Sequence, residues 1–299
     1  MTIPLVQLKT WSGQGAKITS RDTYATVKAT LEDGKAKYTS RNFKVFLQGS
    51  YGNDTNIYAE SDVDVVIRYD GAFFHDIKQR PPDEQTAFET AYPINGMYYY
   101  DDFKEHVRQA LASAFGKSVN PGSKAITIEA DGNRRKADVI VAFEYRRYYK
   151  FKGRYDESHV TGMCFYLSDG TRVANYPDLH SENLTTKHQA TNGNFKPMIR
   201  IFKNLRSKLI DDGLISKGSA PSYYIEGLLY NVPDDQFVGD YQDIFLKILN
   251  WLYATKDRTK FVCANEQYYV LQDNTHTCWG CADGANFINA AINFWNNWQ

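Results

Sequence analysis

The chain has 299 residues, 42% hydrophobic and 23% charged, which suits a soluble globular protein with one large domain or two that share a core. Its 35 basic residues balance 35 acidic ones. That argues against a partner such as long nucleic acid held by a global positive field, and leaves room for a local basic pocket.

Helix formers with apolar positions near helical spacing predict an amphipathic helix over 21–38. The short apolar run 44–48 is then halted by Gly49-Ser50, as a strand running into a tight turn would be. Residues 53–56 carry loop chemistry. Residues 62–69 alternate Asp with Val before turning apolar, which predicts a strand whose first residues present a polar face. The mixed stretch 73–93, with Pro81-Pro82, is expected to be a surface excursion. Residues 101–115 form a clear helix, with Asp at the start and Gly116 after the end. Residues 124–129 and 136–143 read as strands joined by a turn at 131–133, and 162–173 as a second hairpin.

After Tyr176-Pro177 the texture changes, and 194–210, 221–231, 240–253 and 282–298 all show helical periodicity. The expected division is a mixed α/β half over 1–177 and a helical half over 178–299. No run approaches the ~20 apolar residues of a membrane helix. The N-terminal MTIPLVQLKTWSGQGAK lacks the apolar core of a signal peptide. With four cysteines and no disulfide framework, a cytoplasmic protein is expected.

The chemistry is concentrated in three carboxylates. Asp62 and Asp64, at i and i+2, leave the same face of a strand, while Val63 and Val65 leave the other. Asp138 sits in KADVIV, again among apolar strand residues. Three aspartates converging on one site repel one another, and burying them unpaired costs several kcal/mol. A divalent cation removes that cost; hard oxygen ligands with open positions suit Mg²⁺ or Mn²⁺, two ions in all, on a triphosphate. Gly49-Ser50, 12 residues before Asp62, allows close backbone approach to a phosphate, with the Ser hydroxyl and following N–H groups as donors. A calcium loop starting at Asp62 fails, because Val66 occupies a ligand position and no Glu stands at the twelfth.

The order apolar strand, Gly-Ser, spacer, Asp-apolar-Asp, distant Asp resembles the polymerase β-like nucleotidyltransferases. Leu47-Gln-Gly-Ser-Tyr-Gly-Asn-Asp-Thr-Asn56, continued by Ala59-Glu-Ser-Asp-Val-Asp-Val-Val66, resembles the bacterial CD-NTases, relatives of cyclic GMP–AMP synthase, and clade E among them. The likeness continues through GNFKPMIRIFKNLR (193–206), Ala220-Pro-Ser-Tyr-Tyr-Ile-Glu226 and the final FWNNW. It implies an α+β fold: a mixed sheet flanked by helices, a C-terminal helical lobe, and an active site in the cleft between them. It also implies synthesis of a cyclic di- or oligonucleotide messenger from NTPs in antiphage defence, the product being recognised by a separate effector. ATP and UTP are the first substrates to try.

The resemblance assigns roles that the residue pattern leaves neutral. Lys203 reads from its pattern as an exposed helix lysine; in the family, a lysine of the long second-lobe helix reaches the triphosphate. The Ser222-Tyr223 pair is implied to give a hydroxyl to phosphate and a ring to the base; Gln48, from its place beside Gly49, is expected to help shape the site. Stacking on an aromatic ring is worth ~1–3 kcal/mol per base and tolerates any base.

Other candidates are less pointed. Lys187 and His188 fit a surface loop as well as a cleft, and Arg134-Arg135-Lys136 fit a polar strand end beside the hairpin turn better than a phosphate contact. Cys278-Trp-Gly-Cys281, with His276 and Cys263, offers the ligand types of a Cys₃His zinc site, but there is no second CxxC, and buried free thiols are the commoner fate of such cysteines. Two other functions use the same fold: nucleotidyl transfer to a macromolecule such as an RNA end, and a catalytically idle nucleotide sensor. A basic surface would favour the first; the three intact aspartates argue against the second.

Overall fold

A computed structural model of the chain describes residues 2–15, 18–59, 62–93, 98–273, 275 and 277–298; His276 lies outside them. In order, the elements are α1 (Leu5–Trp11), α2 (Ile18–Leu31), β1 (Phe43–Gln48), the one-turn α3 (Gly49–Gly52), β2 (Val63–Asp76), α4 (Pro82–Ala91), α5 (Tyr100–Phe115), β3 (Val119–Pro121) and β4 (Ile126–Ile128). There follow β5 (Ala137–Gly153), β6 (Asp156–Tyr166), β7 (Arg172–Asn175), α6 (Pro177–Ala190), α7 (Phe195–Asp211), α8 (Ser222–Tyr230), α9 (Tyr241–Ala254) and α10 (Cys281–Asn296).

The elements form two units. The sheet unit comprises residues 18–48 and 62–177, the helical unit Met1–Lys17, Gly49–Ser61 and Asp178–Gln299. Two stretches expected in the catalytic half, 1–17 and 49–61, thus group with the helices. The causes are local: Ile3 and Leu8 are buried in the helical core, and Arg200 donates to the carbonyls of Ser12 and Asp54.

In the sheet unit the strand order is β1-β2-β5-β4-β3, with β6 pairing β5 and β7 pairing β6. Among the described residues, only the central β2–β5 pair of the sheet is parallel. A parallel pair needs a long crossover, and the chain between its two strands carries α4, α5, β3 and β4. β5 pairs with β4 through its first residues and with β6 through the rest. Phe103, Val107 and Leu111, four apart on α5, join Val27 and Leu31 of α2 in the core that receives Val63, Val65 and Ile67 of β2. The apolar half of the Asp-Val alternation is therefore buried, which leaves the aspartates on the other face.

The helical unit is organised around α7. Phe195, Met198, Ile199, Phe202, Leu205 and Leu209 are buried along it, packed with residues of α8, α9 and α10. Among the described residues no helix is long and apolar enough to cross a membrane.

Several expected boundaries move. α2 stops at Leu31, where Asp33-Gly34 turns the chain, and Tyr38 folds back so that its hydroxyl donates to the Leu31 carbonyl at 2.8 Å. The stretch 73–93 is no mere excursion: β2 continues to Asp76 past a register shift, and Pro82 opens α4 as a first-turn proline. The β5–β6 hairpin and α6 were not anticipated. Lys187 and His188 belong to the last turn of α6, not to a loop.

Gly162, on β6 opposite Tyr145, needs its missing side chain. A Cβ there would fall on the Asn175 carbonyl oxygen and lie 2.7 Å from Tyr176 Cδ1. Gly162→Ala is therefore expected to destabilise the protein by about 1–3 kcal/mol, read as a lower denaturant midpoint with an unchanged m-value.

Candidate active site

Register places the acidic residues. Asp64 on β2 stands directly opposite Asp138 on β5, Asp64 is opposite Gln48 on β1, and Asp138 is opposite Thr127 on β4. Paired residues of neighbouring strands share a face, so Gln48, Asp64, Asp138 and Thr127 form one row across four strands. Asp62, just before β2, and Lys136, just before β5, stand one step along from that row on the same face.

Sequence reasoning missed Thr127, and weighed Lys136 only as a strand end or a phosphate contact. Thr127 Oγ1 donates to Asp138 Oδ1 at 2.6 Å, fixing one oxygen of that carboxylate. Lys136 Nζ donates to Asp62 Oδ2 at 2.8 Å and reaches Asp138 Oδ2 at 3.4 Å, so one ammonium bridges two of the three carboxylates. The Asp62 bond holds the Lys136 pKa above its ordinary value. The K-A-D triplet was the available signal, since i and i+2 share a face, but the bridge to Asp62 depends on strand pairing.

The row is electrostatically loaded. The Asp64 carboxyl is pushed up from 3.8 to about 6, first by burial and then by the charges of Asp138 and Asp62, against the opposing pull of Lys124 and Lys136. Gln48 Oε1, beside Asp64 in register, is buried without a hydrogen-bond partner. An acceptor-rich row with an orphaned oxygen and a carboxylate that resists ionisation fits a hard divalent cation in its donor chemistry. As the side chains stand, no three of His, Cys, Asp or Glu among the described residues are gathered tightly enough to hold an ion; between Asp62 and Asp138, Lys136 supplies the positive charge.

The remaining expected site residues lie in the helical unit. Gly49, with φ of 71°, turns the chain out of β1 into α3, and the Ser50 carbonyl accepts from Thr55 N–H at 2.9 Å. Lys203 is not the exposed helix lysine of its sequence pattern: it is fully buried, 2.8 Å from Glu226 Oε1 and 3.3 Å from Thr55 Oγ1. Ser222 opens α8, and its Oγ accepts from buried Arg206 at 2.9 Å. The Tyr223 ring stacks on His180 with centroids 5.0 Å apart, and its hydroxyl accepts from Asn265 Nδ2 at 2.8 Å. Burial, then the neighbouring Cys263, raises the Tyr223 pKa, so the phenol stays neutral.

The lesser candidates have structural bonds. Lys187 Nζ donates to the Val232 carbonyl and to Asp234, and His188 Nδ1 accepts from the Lys196 N–H. Arg134 donates to the Glu129 carbonyl and pairs with Asp131. Cys263 is a buried thiol, pushed up to about 12 by burial, that donates to the Tyr269 carbonyl.

A parallel strand pair carrying aspartates in register, inside a mixed sheet with a helical unit, defines a nucleotidyltransferase. Comparison with known proteins agrees. Residues 182–296 match the model of the cGAS/DncV-like nucleotidyltransferase C-terminal helical domain. The cyclic UMP-AMP synthase of Rhodothermus marinus is 36% identical over 300 residues, spanning 100% of this chain and 99% of that protein. The cyclic nucleotide synthase CdnE01 of Staphylococcus haemolyticus is 36% identical, spanning 100% of both. The solved Rhodothermus marinus CdnE c-UMP-AMP synthase with Apcpp and Upnpp superposes with a TM-score of 0.88 over 99% of this chain and 97% of that one, at 36% identity. The Elizabethkingia meningoseptica CdnE cyclic dinucleotide synthase with GTP and Apcpp gives 0.80 over 99% and 100%, at 28% identity. The chain belongs to the cGAS/DncV-like nucleotidyltransferases, the CD-NTases, and within them to the CdnE group.

The raised Asp64 pKa has a definite sign. At pH below about 4 the group is protonated whether folded or not and contributes nothing. Between about 4 and 6 the unfolded chain releases its proton while the native state keeps it, so native stability falls, and above 6 the cost is constant. Without added divalent cation, Asp64→Asn is expected to melt higher than the parent at pH 8, by on the order of 2 kcal/mol, and to match it at pH 4. Calorimetry at both pH values measures this; equal stability at pH 8 would count against the buried, charge-crowded carboxylate.

Thr127→Val removes the hydroxyl that orients Asp138 while keeping the shape. It is expected to lower kcat about tenfold with little change in melting temperature, because one hydrogen bond to a charged group is worth about 1.5–3 kcal/mol. Steady-state rates and a thermal melt measure both.

Proposed function

We propose that this chain condenses nucleoside triphosphates, ATP and UTP first among them, into a cyclic di- or oligonucleotide with release of pyrophosphate. The observation that carries the reading is the register match of Asp64 with Asp138, with Asp62 two residues before Asp64 at the entrance to β2. Identity of 36% over the full length to a cyclic UMP-AMP synthase supports the cyclic product and the first choice of bases. Related chains are named as a cyclic dipurine synthase in Elizabethkingia meningoseptica and a cyclic dipyrimidine synthase in Legionella pneumophila. Base choice on this scaffold therefore depends on a few pocket side chains.

In this reading Asp62, Asp64 and Asp138 hold two Mg²⁺ or Mn²⁺ ions. Bound there, such ions supply Lewis acidity to the triphosphate and to the attacking hydroxyl. Asp138, with Oδ1 committed to Thr127, keeps Oδ2 for the proton of the attacking 2′- or 3′-hydroxyl. The hydroxyl oxygen, its proton passed to Asp138 Oδ2, forms a bond to the α-phosphorus of the donor nucleotide; the bond from that phosphorus to the α–β bridging oxygen breaks, and pyrophosphate leaves with the electron pair. A second transfer within the linear product closes the ring. Lys136 releases Asp62 and Asp138 as the site fills. Gly49 and Ser50 lend backbone N–H groups and a hydroxyl to phosphate, Lys203 its ammonium and Ser222 a hydroxyl, while Tyr223 offers a ring face to the base.

The product serves as a messenger that a separate effector protein recognises in antiphage defence, a role supported by the CdnE kinship. The balance of 35 basic and 35 acidic residues suits small nucleotide substrates better than a long template.

Incubation of the purified chain with Mg²⁺ and each combination of the four NTPs, followed by phosphatase and mass analysis, tests the reading. A phosphatase-resistant product with the mass of a cyclic oligonucleotide is expected from ATP with UTP; none from any mixture would overturn it. Asp62→Asn with Asp64→Asn is expected to lower product formation at least ~10³-fold while circular dichroism stays that of the parent, since several kcal/mol of transition-state stabilisation would be lost.

A further inference from the structure

The helical unit contains a buried ionic knot centred on Glu226, a residue to which the chemistry above gives no role. Glu226, on α8, is 4% exposed, and both of its carboxylate oxygens are engaged. Oε1 accepts from Lys203 Nζ at 2.8 Å and from Thr55 Oγ1 at 2.5 Å. Oε2 accepts from His180 Nε2 at 2.8 Å. The donors come from three separate parts of the unit: the segment after α3, helix α6 and helix α7. Burial opposes the charge, but the Lys203 ammonium and the His180 bond outweigh it and hold the carboxyl well below the usual carboxylate range.

We propose that Glu226 is a positioning residue for nucleotide binding: one buried carboxylate that sets Lys203 for phosphate and, through His180, sets the ring of Tyr223 for a base. The proposal rests on the reading of Lys203 and Tyr223 as nucleotide contacts. Its basis is placement. Glu226 lies three residues after Tyr223, on the same side of α8. It fixes His180 by the ring nitrogen Nε2, and the His180 imidazole lies flat against the Tyr223 ring, 5.0 Å away with an interplanar angle of 18°. Asn265 holds the tip of that ring. One face and the hydroxyl of Tyr223 are thereby committed to the protein, and Tyr224 meets the ring at 77° with centroids 5.5 Å apart; in this proposal the base takes the ring area that these neighbours do not cover.

Stability alone is a weak reason for such an arrangement. Replacing a buried ion pair by apolar groups of similar size is often neutral or stabilising, because desolvation offsets the attraction. An ionic knot that ties a phosphate-directed lysine to a base-directed tyrosine has a function that an apolar plug would lack. It makes both halves of nucleotide recognition depend on a single carboxylate.

The test combines ATP and adenosine binding, measured at equilibrium, with kcat and KM for the full chain, at a temperature where each variant's melt shows it folded. Glu226→Gln is expected to raise the ATP Kd and KM about tenfold or more while kcat changes less than about threefold. His180→Phe keeps a flat ring under Tyr223 but loses the bond to Glu226, and is expected to weaken ATP and adenosine by the same factor. Parental affinity in both folded variants, beside clear losses in Lys203→Met and Tyr223→Ala, would overturn the role of Glu226 alone. Parental affinity in Lys203→Met and Tyr223→Ala would instead overturn the nucleotide-contact reading, and this proposal with it. Should Glu226→Gln fail to fold, His180→Phe decides by the same criterion.

Discussion

Asp64 and Asp138 face each other across the parallel β2–β5 strand pair, and much of the molecule is arranged to bring about that confrontation. Two like charges side by side are unfavourable, and more so where burial has already pushed the Asp64 carboxyl up to about 6. A fold selected for stability alone would not keep them. Here the neighbours compensate in part: Thr127 binds one oxygen of Asp138, Lys136 spans Asp62 and Asp138, and Lys124 adds its field. The negative charge left uncompensated at Asp64, beside the unpartnered oxygen of Gln48, is the physical basis of the ion and phosphate site proposed above.

The parallel pairing has a topological cost that explains the architecture around it. β2 and β5 lie side by side only because the intervening chain crosses over through α4, α5, β3 and β4. The apolar half of the β2 alternation faces α2 and α5, so a one-residue slip in register would turn the aspartates into the core. Core packing and site geometry are thus specified by the same alternation. The helical unit solves a related problem differently. Two of its buried charges, Lys203 and Glu226, are paired rather than left in excess, and they tie Thr55 to α6, α7 and α8.

The Asp-Val alternation at 62–65 and the apolar setting of Asp138 made the central chemistry legible, because side-chain direction in a strand follows from a period of two. The likeness of the Gly-Ser segment to CD-NTases supplied the family, which the full-length identities bear out. The bonds of Thr127 and Lys136 stayed hidden, since their partners are fixed by inter-strand register and not by local spacing. The burial of Lys203 was equally invisible: its partners lie at Thr55 and Glu226, and an isolated lysine on a helix reads as solvated. α6 escaped notice because PDLHSENLTTKHQA has few apolar residues to mark a face. Pro81-Pro82 was taken for an interruption, although proline suits the first turn of a helix as well as a loop.

The central claim is that three strand-borne aspartates form the ion site of a nucleotidyltransferase. Titration of Mn²⁺ into the protein with a non-hydrolysable triphosphate, followed by electron paramagnetic resonance, tests it most directly because it counts bound ions without depending on turnover. The account expects two ions per chain with the triphosphate present, and the loss of both when Asp64 is replaced by Asn. Triphosphate bound with no protein-held Mn²⁺, or two ions retained in Asp64→Asn, would contradict it.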